Sequence, residues 1–356
     1  MVDPTRRERM VGCLLGGAIG DALGAPVEFL SWPQIESRFG PRGIREFAPA
    51  FGGLGRVTDD TQMTLFTAEG LIRAEHRIAD RGLVNVDAVL HRAYLRWLFT
   101  QIGDASAVPW DPDIGEDTGG WLLQQRFLYS QRAPGMTCLS ALRSGLAGSP
   151  DHPLNDSKGC GGVMRVAPVG LVASDPFDLG CRIAALTHGH PSGWLAAGAF
   201  AQIISEVIEG NTVRVAVEAA IGRCRRSMGG AEVVQALTAS LSMLDEGGEP
   251  TPQRIESLGG GWVAEEALAI SAYCALSAPS PGDAVALAVN HSGDSDSTGS
   301  ITGNILGAVL GADWLDADLL GQLEGRTVIE SVAGDLYDTF FSAAGVAFGS
   351  DRYPPW

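Results

Sequence analysis

Two short acidic stretches, "VTDDTQ" and "GDSDST", hold most of the side chains that could do chemistry. The candidate oxygen donors in them are Thr58, Asp59, Asp60, Asp294, Asp296, Ser297 and Thr298. Carboxylates that are crowded together repel one another unless they are protonated or share a cation. Oxygen donors of Asp, Ser and Thr suit Mg2+, Mn2+ or Ca2+ rather than zinc. The two stretches together therefore predict a divalent-cation site, with room for two ions about 3.5–4 Å apart.

Each acidic stretch also has a plainer interpretation. Asp59 with Gln62 three residues later fits a capping box, so Asp59 could simply cap a helix. Ser297 or Thr298 could cap the helix that follows them. "DSDSTG" begins like an EF-hand loop, but its twelfth position is Ile305 where a bidentate Glu is required, so that site is excluded. Because both stretches stand at the start of a predicted helix, we favour a shared metal site.

Two segments carry glycine at every fourth position, and we expect both to be buried helices. The glycines are Gly12, Gly16, Gly20, Gly24, Gly299, Gly303, Gly307 and Gly311. Residues four apart lie on one helical face, where a missing side chain lets another backbone come close. Each interior glycine costs about 1 kcal/mol relative to Ala, so close packing is the expected compensation. This arrangement should bring together the acidic residues at the helix ends, including a looser pair, Asp21 and Glu28.

The stretch "KGCGGVMRVAPVG" places three glycines around Cys160. Such a loop can leave backbone N–H groups free to cradle a pyrophosphate, although a tight turn explains it equally well. It matches neither the P-loop nor the dinucleotide-binding pattern. We interpret Cys160 as a small filler, since nothing in the sequence argues for a thiolate.

Two histidines, His188 and His190, occur in "LTHGHPSGW". Imidazoles two residues apart do not face one point on a helix, so a zinc site is not indicated. One of them could contact substrate, or both could be satisfied by the backbone.

Composition narrows the class of protein. The chain has 356 residues, 45% apolar, with a formal charge of −17. Such a surface repels nucleic-acid phosphates and anionic membranes, so we expect neither as a partner. Six scattered cysteines without a C-x-x-C pair favour a reducing cytoplasm over a disulfide scaffold or zinc site. The chain contains no run of 18 uninterrupted apolar residues, so the sequence does not predict a membrane span. We expect a monomer.

Apolar residues at helical intervals predict an all-α fold, a compact helical bundle forming one domain over residues 1–356. The strongest helical patterns are "TQMTLFTAEGLIRAEHRI", "VDAVLHRAYLRWLFTQ", "GWLAAGAFAQIISEVIEG" and "AEEALAISAYCALSA". Strand-like alternation is scarce. Loops are expected at 40–57, 103–119, 145–162 and 244–262.

Five stretches in the same order resemble the ADP-ribosylglycohydrolase family. They are "GCLLGGAIGDALGAPVEF" (12–29), "VTDDTQMTLFTAEGL" (57–71), "KGCGGVMRVAPVGL" (158–171), "LTHGHPSGW" (186–194) and "GDSDSTGSITGNILGAVLG" (293–311). The resemblance covers nearly the whole chain. It implies an all-helical fold with a binuclear Mg2+ or Mn2+ centre in a central cleft. It also implies hydrolysis of the bond between the anomeric carbon of ADP-ribose and a modified group.

The resemblance also implies roles for individual residues. The metal ligands would be Thr58, Asp59, Asp60, Asp294, Asp296 and Ser297. The substrate-binding residues would be Gly159, Cys160, Gly161, Gly162, Met164 and His188. Asp60 and Asp296 are the candidates for moving a proton, and Glu28 matches a glutamate near the metals that helps gate the site. Acid and base roles stay unassigned.

The form "DSDST" is similar to the arginine-directed branch of that family, which favours arginine-linked mono-ADP-ribose on protein as substrate. The partner would then be an ADP-ribosylated protein or a small ADP-ribose conjugate. Two alternatives stay open. The same chemistry could act on another leaving group, such as serine, a nucleobase or a free metabolite. The chain could also be a non-catalytic ADP-ribose binder or a structural member of the fold.

Overall fold

The computed structural model describes residues 4–342 and 351–354, and these residues form helices and loops without a β-strand. The helices α1 to α16 are, in chain order, Arg6–Gly24, Trp32–Phe39, Asp59–Arg81, Val86–Ile102, Met136–Arg143, Ala167–Val172, Pro176–Ala185, Pro191–Ile208, Val213–Arg226, Ala231–Asp245, Pro252–Glu256, Ala264–Ser277, Pro281–Val289, Ser295–Leu310, Ala317–Gln322 and Arg326–Phe341. The all-α prediction is confirmed.

The four strongest helical patterns correspond to α3, α4, α8 and α12. Ordinary local signals set where they begin. Asn85 accepts a hydrogen bond from the Ala88 amide at the start of α4, and Pro191 opens α8 after the His190 cap. One loop prediction was partly wrong, because the short helix α11 interrupts the region 244–262.

The two glycine-spaced segments form α1 and α14, which pack against each other along their length. A methyl group built at Gly16 would overlap the carbonyl oxygen of Gly303, and one built at Gly20 would overlap that of Gly299. The contacts run in opposite directions along the two helices, so the pair is antiparallel. Absent side chains therefore allow backbone-to-backbone contact.

This antiparallel pair lies within the main apolar core. Leu14, Leu15 and Ile19 of α1 and Ile301 and Ile305 of α14 are all buried. Because the helices are antiparallel, the carboxyl end of α1 lies beside the amino end of α14. A methyl at Gly24, the last residue of α1, would overlap the backbone of Asp296. The antiparallel packing therefore brings the acidic ends of α1 and α14 together, as expected from the glycine spacing.

Two other expectations concern the whole chain. None of the helices in residues 4–342 is long and apolar enough to cross a membrane. All six cysteines are unpaired, and Cys160 alone among them is not fully buried.

The helix pair generates a stability prediction. Gly303→Ala should lower the free energy of unfolding by about 1–3 kcal/mol or more, because its methyl has no space against the α1 backbone. Gly222→Ala is the matched control: it lies inside α9, where the nearest neighbour of an added methyl is a side-chain nitrogen at 3.7 Å. That change should stabilise the protein by about 0.5–1 kcal/mol. Urea unfolding of both variants checks this, and equal effects would contradict the packing argument.

Candidate functional site

Three helix ends converge at the candidate site: the carboxyl end of α1 and the amino ends of α3 and α14. Asp21, near the carboxyl end of α1, connects this end to the amino end of α3. Its carboxylate accepts hydrogen bonds from the amides of Thr58 at 3.0 Å and Thr61 at 3.1 Å, and from the Thr61 hydroxyl. A carboxylate on free amides at a helix start is favoured by both hydrogen bonding and the helix dipole. Asp21 therefore fixes the acidic start of α3.

The first turn of α3 presents two buried carboxylates. Thr58 is its N-cap, with its hydroxyl accepting from the Asp60 amide at 3.4 Å. The interpretation of Asp59 as the cap was therefore wrong, because the chain turns helical one residue earlier. Asp59 Oδ2 instead accepts from the Gly135 amide at 3.1 Å. Asp60 Oδ1 is buried and has no hydrogen-bond partner among the described residues.

The first turn of α14 presents the second set of oxygen donors. Asp294 is its N-cap and accepts from the Ser297 amide at 3.3 Å, so the prediction that Ser297 or Thr298 caps this helix was wrong. Asp296 also accepts from that amide, at 3.0 Å. The Thr298 hydroxyl instead lies 2.7 Å from the backbone carbonyl oxygens of both Ala288 and Asp294, either of which can accept its single proton. Asp294 and Asp296 therefore both lie at the first turn of α14.

Glu28 lies close enough to Asp294 and Asp296 for the three carboxylates to bind one metal ion. One carboxylate oxygen from each of Glu28, Asp294 and Asp296 lies within 4.8 Å of the others, and all three residues are buried. Glu28 was predicted to gate the site, and the structure places it among potential ligands. Asp59 and Asp60 are not part of this group within the described residues, although their charges act on its members.

Burial and mutual repulsion dominate the electrostatics of the site. Burial and the charges of Asp296, Asp294, Asp59 and Asp21 raise the pKa of Glu28 to about 10. The pKa values of Asp59, Asp60 and Asp294 are raised well above the usual range, first by burial; carboxylates, Asp296 foremost, add to it. Among the described residues, no arginine, lysine or histidine is a principal influence on the pKa values of these carboxyl groups.

The donor set fits a hard divalent cation. It consists of carboxylate and hydroxyl oxygens only, which is the preference of Mg2+ and Mn2+ rather than zinc. Asp60 Oδ1 and Glu28 Oε2 are buried without a hydrogen-bond partner among residues 4–342 and 351–354. Buried carboxylates that lack partners are costly unless a cation or a proton neutralises them. A divalent cation at this site would match the oxygen donors and would also neutralise the buried carboxylates.

The glycine loop lies directly against the acidic group. The Cys160 thiol donates to Asp294 Oδ2 at 2.7 Å, and the Ser297 hydroxyl contacts Met164 Sδ at 3.9 Å. Burial and Asp294 raise the pKa of the Cys160 thiol well above its usual value, which agrees with the expectation that it is not a thiolate. Part of the predicted anion cradle is already used, since the Cys160 amide donates to the Trp262 carbonyl at 3.2 Å.

His188 lies beneath the glycine loop. Its Nδ1 is 2.8 Å from the Thr187 hydroxyl, and a methyl at Gly161 would stand 3.1 Å from its ring. Burial and the nearby Arg165 lower the pKa of His188 to about 3, so the ring is neutral. His188 shapes the loop, and its contact with substrate stays a prediction. His190 is separate from this role and caps α8.

Sequence reasoning missed two contributors. Asp21 was noted only as a loose acidic neighbour, and no local signal identified it as the anchor of α3. Arg165 is fully buried; it donates to the Ile183 carbonyl at 3.2 Å and to the Thr187 hydroxyl at 2.8 Å. An arginine inside the apolar run "VMRVAPVG" was the available signal. It places a positive charge under the glycine loop.

Comparisons with known proteins identify one family and one fold. The sequence profile of the family described as ADP-ribosylglycohydrolase matches residues 2–344. A solved structure titled "ADP-ribosylglycohydrolase-related protein complex" superposes with a TM-score of 0.62 at 24% identity, covering 93% of this chain and 98% of that one. At this identity the superposition shows the shared fold.

Three curated relatives are similar in sequence. The "ADP-ribosyl-[dinitrogen reductase] glycohydrolase" of Rhodospirillum rubrum is 27% identical over 230 residues, 62% of this chain and 65% of the relative. An uncharacterised protein of Archaeoglobus fulgidus is 30% identical over 186 residues, 51% and 48% of the two chains. An uncharacterised protein of Escherichia coli, YegU, is 26% identical over 343 residues, 90% and 92%. The chain thus spans less than two thirds of the first two relatives.

The raised pKa of Glu28 predicts a pH-dependent stability difference in EDTA. Its folded pKa of about 10 exceeds the ordinary value, about 4.3 for Glu, so the protonated group stabilises the fold below about pH 4. That contribution is lost as pH rises towards 10. Glu28→Gln cannot ionise, so its free energy of unfolding should rise relative to the unsubstituted protein between pH 5 and 9. Urea unfolding across this range measures the difference.

Glu232→Gln is the control for this measurement. Hydrogen bonds from Lys158 and Ser192 lower the pKa of Glu232 to about 2, so its carboxylate is ionised in the folded and unfolded protein above about pH 5. The effect of Glu232→Gln on the free energy of unfolding should therefore stay constant between pH 5 and 9. A flat profile for Glu28→Gln as well would contradict the electrostatic account of the site. Saturating Mg2+ should abolish the Glu28→Gln slope, since a cation favours the ionised carboxylate.

Proposed function

The chain belongs to the ADP-ribosylglycohydrolase family, and from that membership we propose a cation-dependent hydrolase that removes ADP-ribose from a modified target. The target class that we favour is arginine-linked mono-ADP-ribose on protein. The partner is then an ADP-ribosylated protein or a small conjugate that presents the same linkage.

One observation carries the proposal: carboxylates at three helix ends are buried together, and no cationic side chain of the described residues is among their principal electrostatic neighbours. A structural role would favour pairing or replacing such charges, because unpaired buried carboxylates destabilise a fold. Groups held in this way are typical of sites that bind a cation and do chemistry.

The proposed cation ligands are the six residues Thr58, Asp59, Asp60, Asp294, Asp296 and Ser297, with Glu28 beside them. Two divalent cations, Mg2+ or Mn2+, would supply Lewis-acid polarisation and an activated water. Asp21 keeps the Thr58–Asp60 turn in place through its hydrogen bonds to the start of α3.

The proposed diphosphate site is the loop Gly159–Gly162 with Met164. Support comes from the Cys160–Asp294 contact, which holds this loop against the acidic group, so that a diphosphate on the loop would place its ribose next to the carboxylates. Arg165 lies beneath and has no carboxylate partner among the described residues; its Nε is buried without a hydrogen-bond partner. That uncompensated positive charge would offset the repulsion between a diphosphate and a chain of charge −17.

Breaking a glycosidic bond builds positive charge on the sugar ring. Carboxylates fixed before the reaction stabilise that charge without reorganising. Asp60 and Asp296 are the proposed groups for moving the proton, and Asp60 Oδ1 has no hydrogen-bond partner among the described residues. Glu28, on the segment that follows α1, would close the site over the leaving group.

The test uses three ADP-ribose conjugates, linked through arginine, serine and a nucleobase, each with Mg2+, Mn2+ or EDTA. Chromatography of free ADP-ribose measures hydrolysis. We expect release from the arginine conjugate that EDTA abolishes. Asp294→Asn should lower the rate by about a hundredfold or more, since even the outer partners of metal ligands contribute about 10–100-fold. Asp313→Asn, an exposed acidic residue outside the site, is the control and should retain the rate.

Other outcomes would replace the proposal. Faster release from the serine or nucleobase conjugate would keep the chemistry and change the target. Tight ADP-ribose binding, measured by calorimetry, without turnover of any conjugate would make the chain a non-catalytic binder. EDTA-resistant release would overturn the cation dependence.

A further inference from the structure

The glycine loop has few side chains that could hold it in place. Three of its four residues, Gly159, Gly161 and Gly162, have none, and glycine has the greatest backbone freedom of any residue. The Cys160 thiol reaches Asp294, which is itself a proposed cation ligand. A loop that binds a diphosphate through backbone N–H groups gains affinity when it is ordered before the ligand arrives. The residues that flank the loop therefore matter for its order.

Lys158, which directly precedes the loop, connects it to two helix starts. Its Nζ donates to Glu265 Oε1 at 2.5 Å and to Glu232 Oε2 at 2.8 Å. Glu265 lies in the first turn of α12 and Glu232 in the first turn of α10. Ser192, in the first turn of α8, donates to the same Glu232 oxygen. The Lys158 ammonium thus links the start of the loop to α10 and α12 directly, and to α8 through Glu232.

The backbone at the start of the loop pairs with the segment that leads into α12. The Lys158 carbonyl accepts from the Ala264 amide at 2.8 Å, and the Cys160 amide donates to the Trp262 carbonyl at 3.2 Å. The two segments run antiparallel. Glu265 is the second residue of α12. Its ion pair with Lys158 therefore acts on the same two segments as the backbone pairing and stabilises their register.

The ion pair with Glu265 is partly shielded from solvent. The Glu265 side chain is 7% exposed, whereas those of Lys158 and Glu232 are 34% and 48% exposed. Charges that are removed from water are screened less than exposed ones. Hydrogen bonds to Glu232 and Glu265 raise the pKa of Lys158, so the ammonium stays charged at neutral pH. Neither glutamate is a proposed cation ligand, so uptake of a cation leaves these contacts in place.

We infer that Lys158 is a positioning residue that holds the Gly159–Gly162 loop in the conformation that receives the diphosphate of ADP-ribose. It acts through its ion pairs with Glu265 and Glu232. This inference rests on the proposed function and adds a residue that sets substrate affinity without touching the reacting atoms. Without Lys158 the loop samples more conformations, and ligand binding must supply the cost of ordering it. The proposed cation ligands stand at the starts of α3 and α14, so cation affinity does not depend on Lys158.

The test measures the affinities for ADP-ribose and for Mg2+ by calorimetry, and KM and kcat for the arginine conjugate. Lys158→Met should weaken ADP-ribose binding and raise KM by about tenfold, with kcat and Mg2+ affinity changed by less than about twofold. Lys158→Arg keeps the charge and should recover most of the affinity. Arg214→Met is the matched control and should leave all four values unchanged. Arg214 also pairs with two carboxylates, those of Asp245 and Glu218, and its side chain is 37% exposed.

A double variant separates positioning from stability. Lys158→Met leaves Glu265 buried without its counter-charge, which lowers the free energy of unfolding. Adding Glu265→Gln removes that charge, so the double variant should regain most of the stability measured by urea unfolding. Its ADP-ribose binding should stay weak, because the side chain at position 158 still has no ion pair with α12. Recovery of ADP-ribose affinity together with stability would overturn the inference and leave Lys158 a structural role only.

Other outcomes are also decisive. Unchanged ADP-ribose affinity in Lys158→Met, or an equal loss of Mg2+ affinity, would overturn the inference. Absence of turnover in the unsubstituted protein would instead reject the proposed hydrolysis, and the calorimetric comparison would still decide the role of Lys158. Failure of the unsubstituted protein to bind ADP-ribose at all would reject both.

Discussion

The close contact between the backbones of α1 and α14 is the constraint on which the rest of the structure depends. Helices that carry side chains at their interface stand about 8–10 Å apart. The glycines of α1 and α14 remove those side chains, so that a methyl at Gly16 would already overlap the opposite carbonyl. This contact fixes the register and direction of the pair. It also brings the end of α1 to the first turn of α14 without any intervening side chain.

This arrangement disfavours the ionised forms of the carboxyl groups at the site. Three helix ends place several carboxylates in one buried region, and burial and repulsion raise their pKa values. The amino ends of α3 and α14 favour negative charge, and the amides of Thr58 and Ser297 satisfy some oxygens. Asp60 Oδ1 and Glu28 Oε2 have no hydrogen-bond partner in the part of the chain that the structure describes. A fold that keeps such groups is poised to take up a cation.

The site has two regions of opposite electrostatic character. The acidic group stands on one side, and the glycine loop with Arg165 beneath it stands on the other. A ligand with an anionic diphosphate and a ribose that becomes positive during bond cleavage suits this division. The stacked rings of Phe29 and Trp262 lie next to both regions, since Phe29 follows Glu28 and the Trp262 carbonyl accepts from the Cys160 amide.

Local patterns in the sequence were sufficient to predict the helices and the buried glycine faces, and they supplied the candidate oxygen donors. Periodicity and composition act over a few turns, and "VTDDTQ" and "GDSDST" retain their chemistry wherever the chain places them. The helix N-caps were harder to predict from the sequence. Asp59 and Ser297 each lie one or more residues from the observed caps, because the residue at which a helix begins depends on its surroundings.

Only the tertiary structure decided which of these groups meet. Asp21 contacts Thr58, Glu28 joins Asp294, and Trp262 reaches Phe29 across more than 200 residues of chain. Such contacts depend on the angle and register of packed helices, and one sequence records these only indirectly. The sequence therefore determined what chemistry the side chains can perform, and helix packing determined where it can occur.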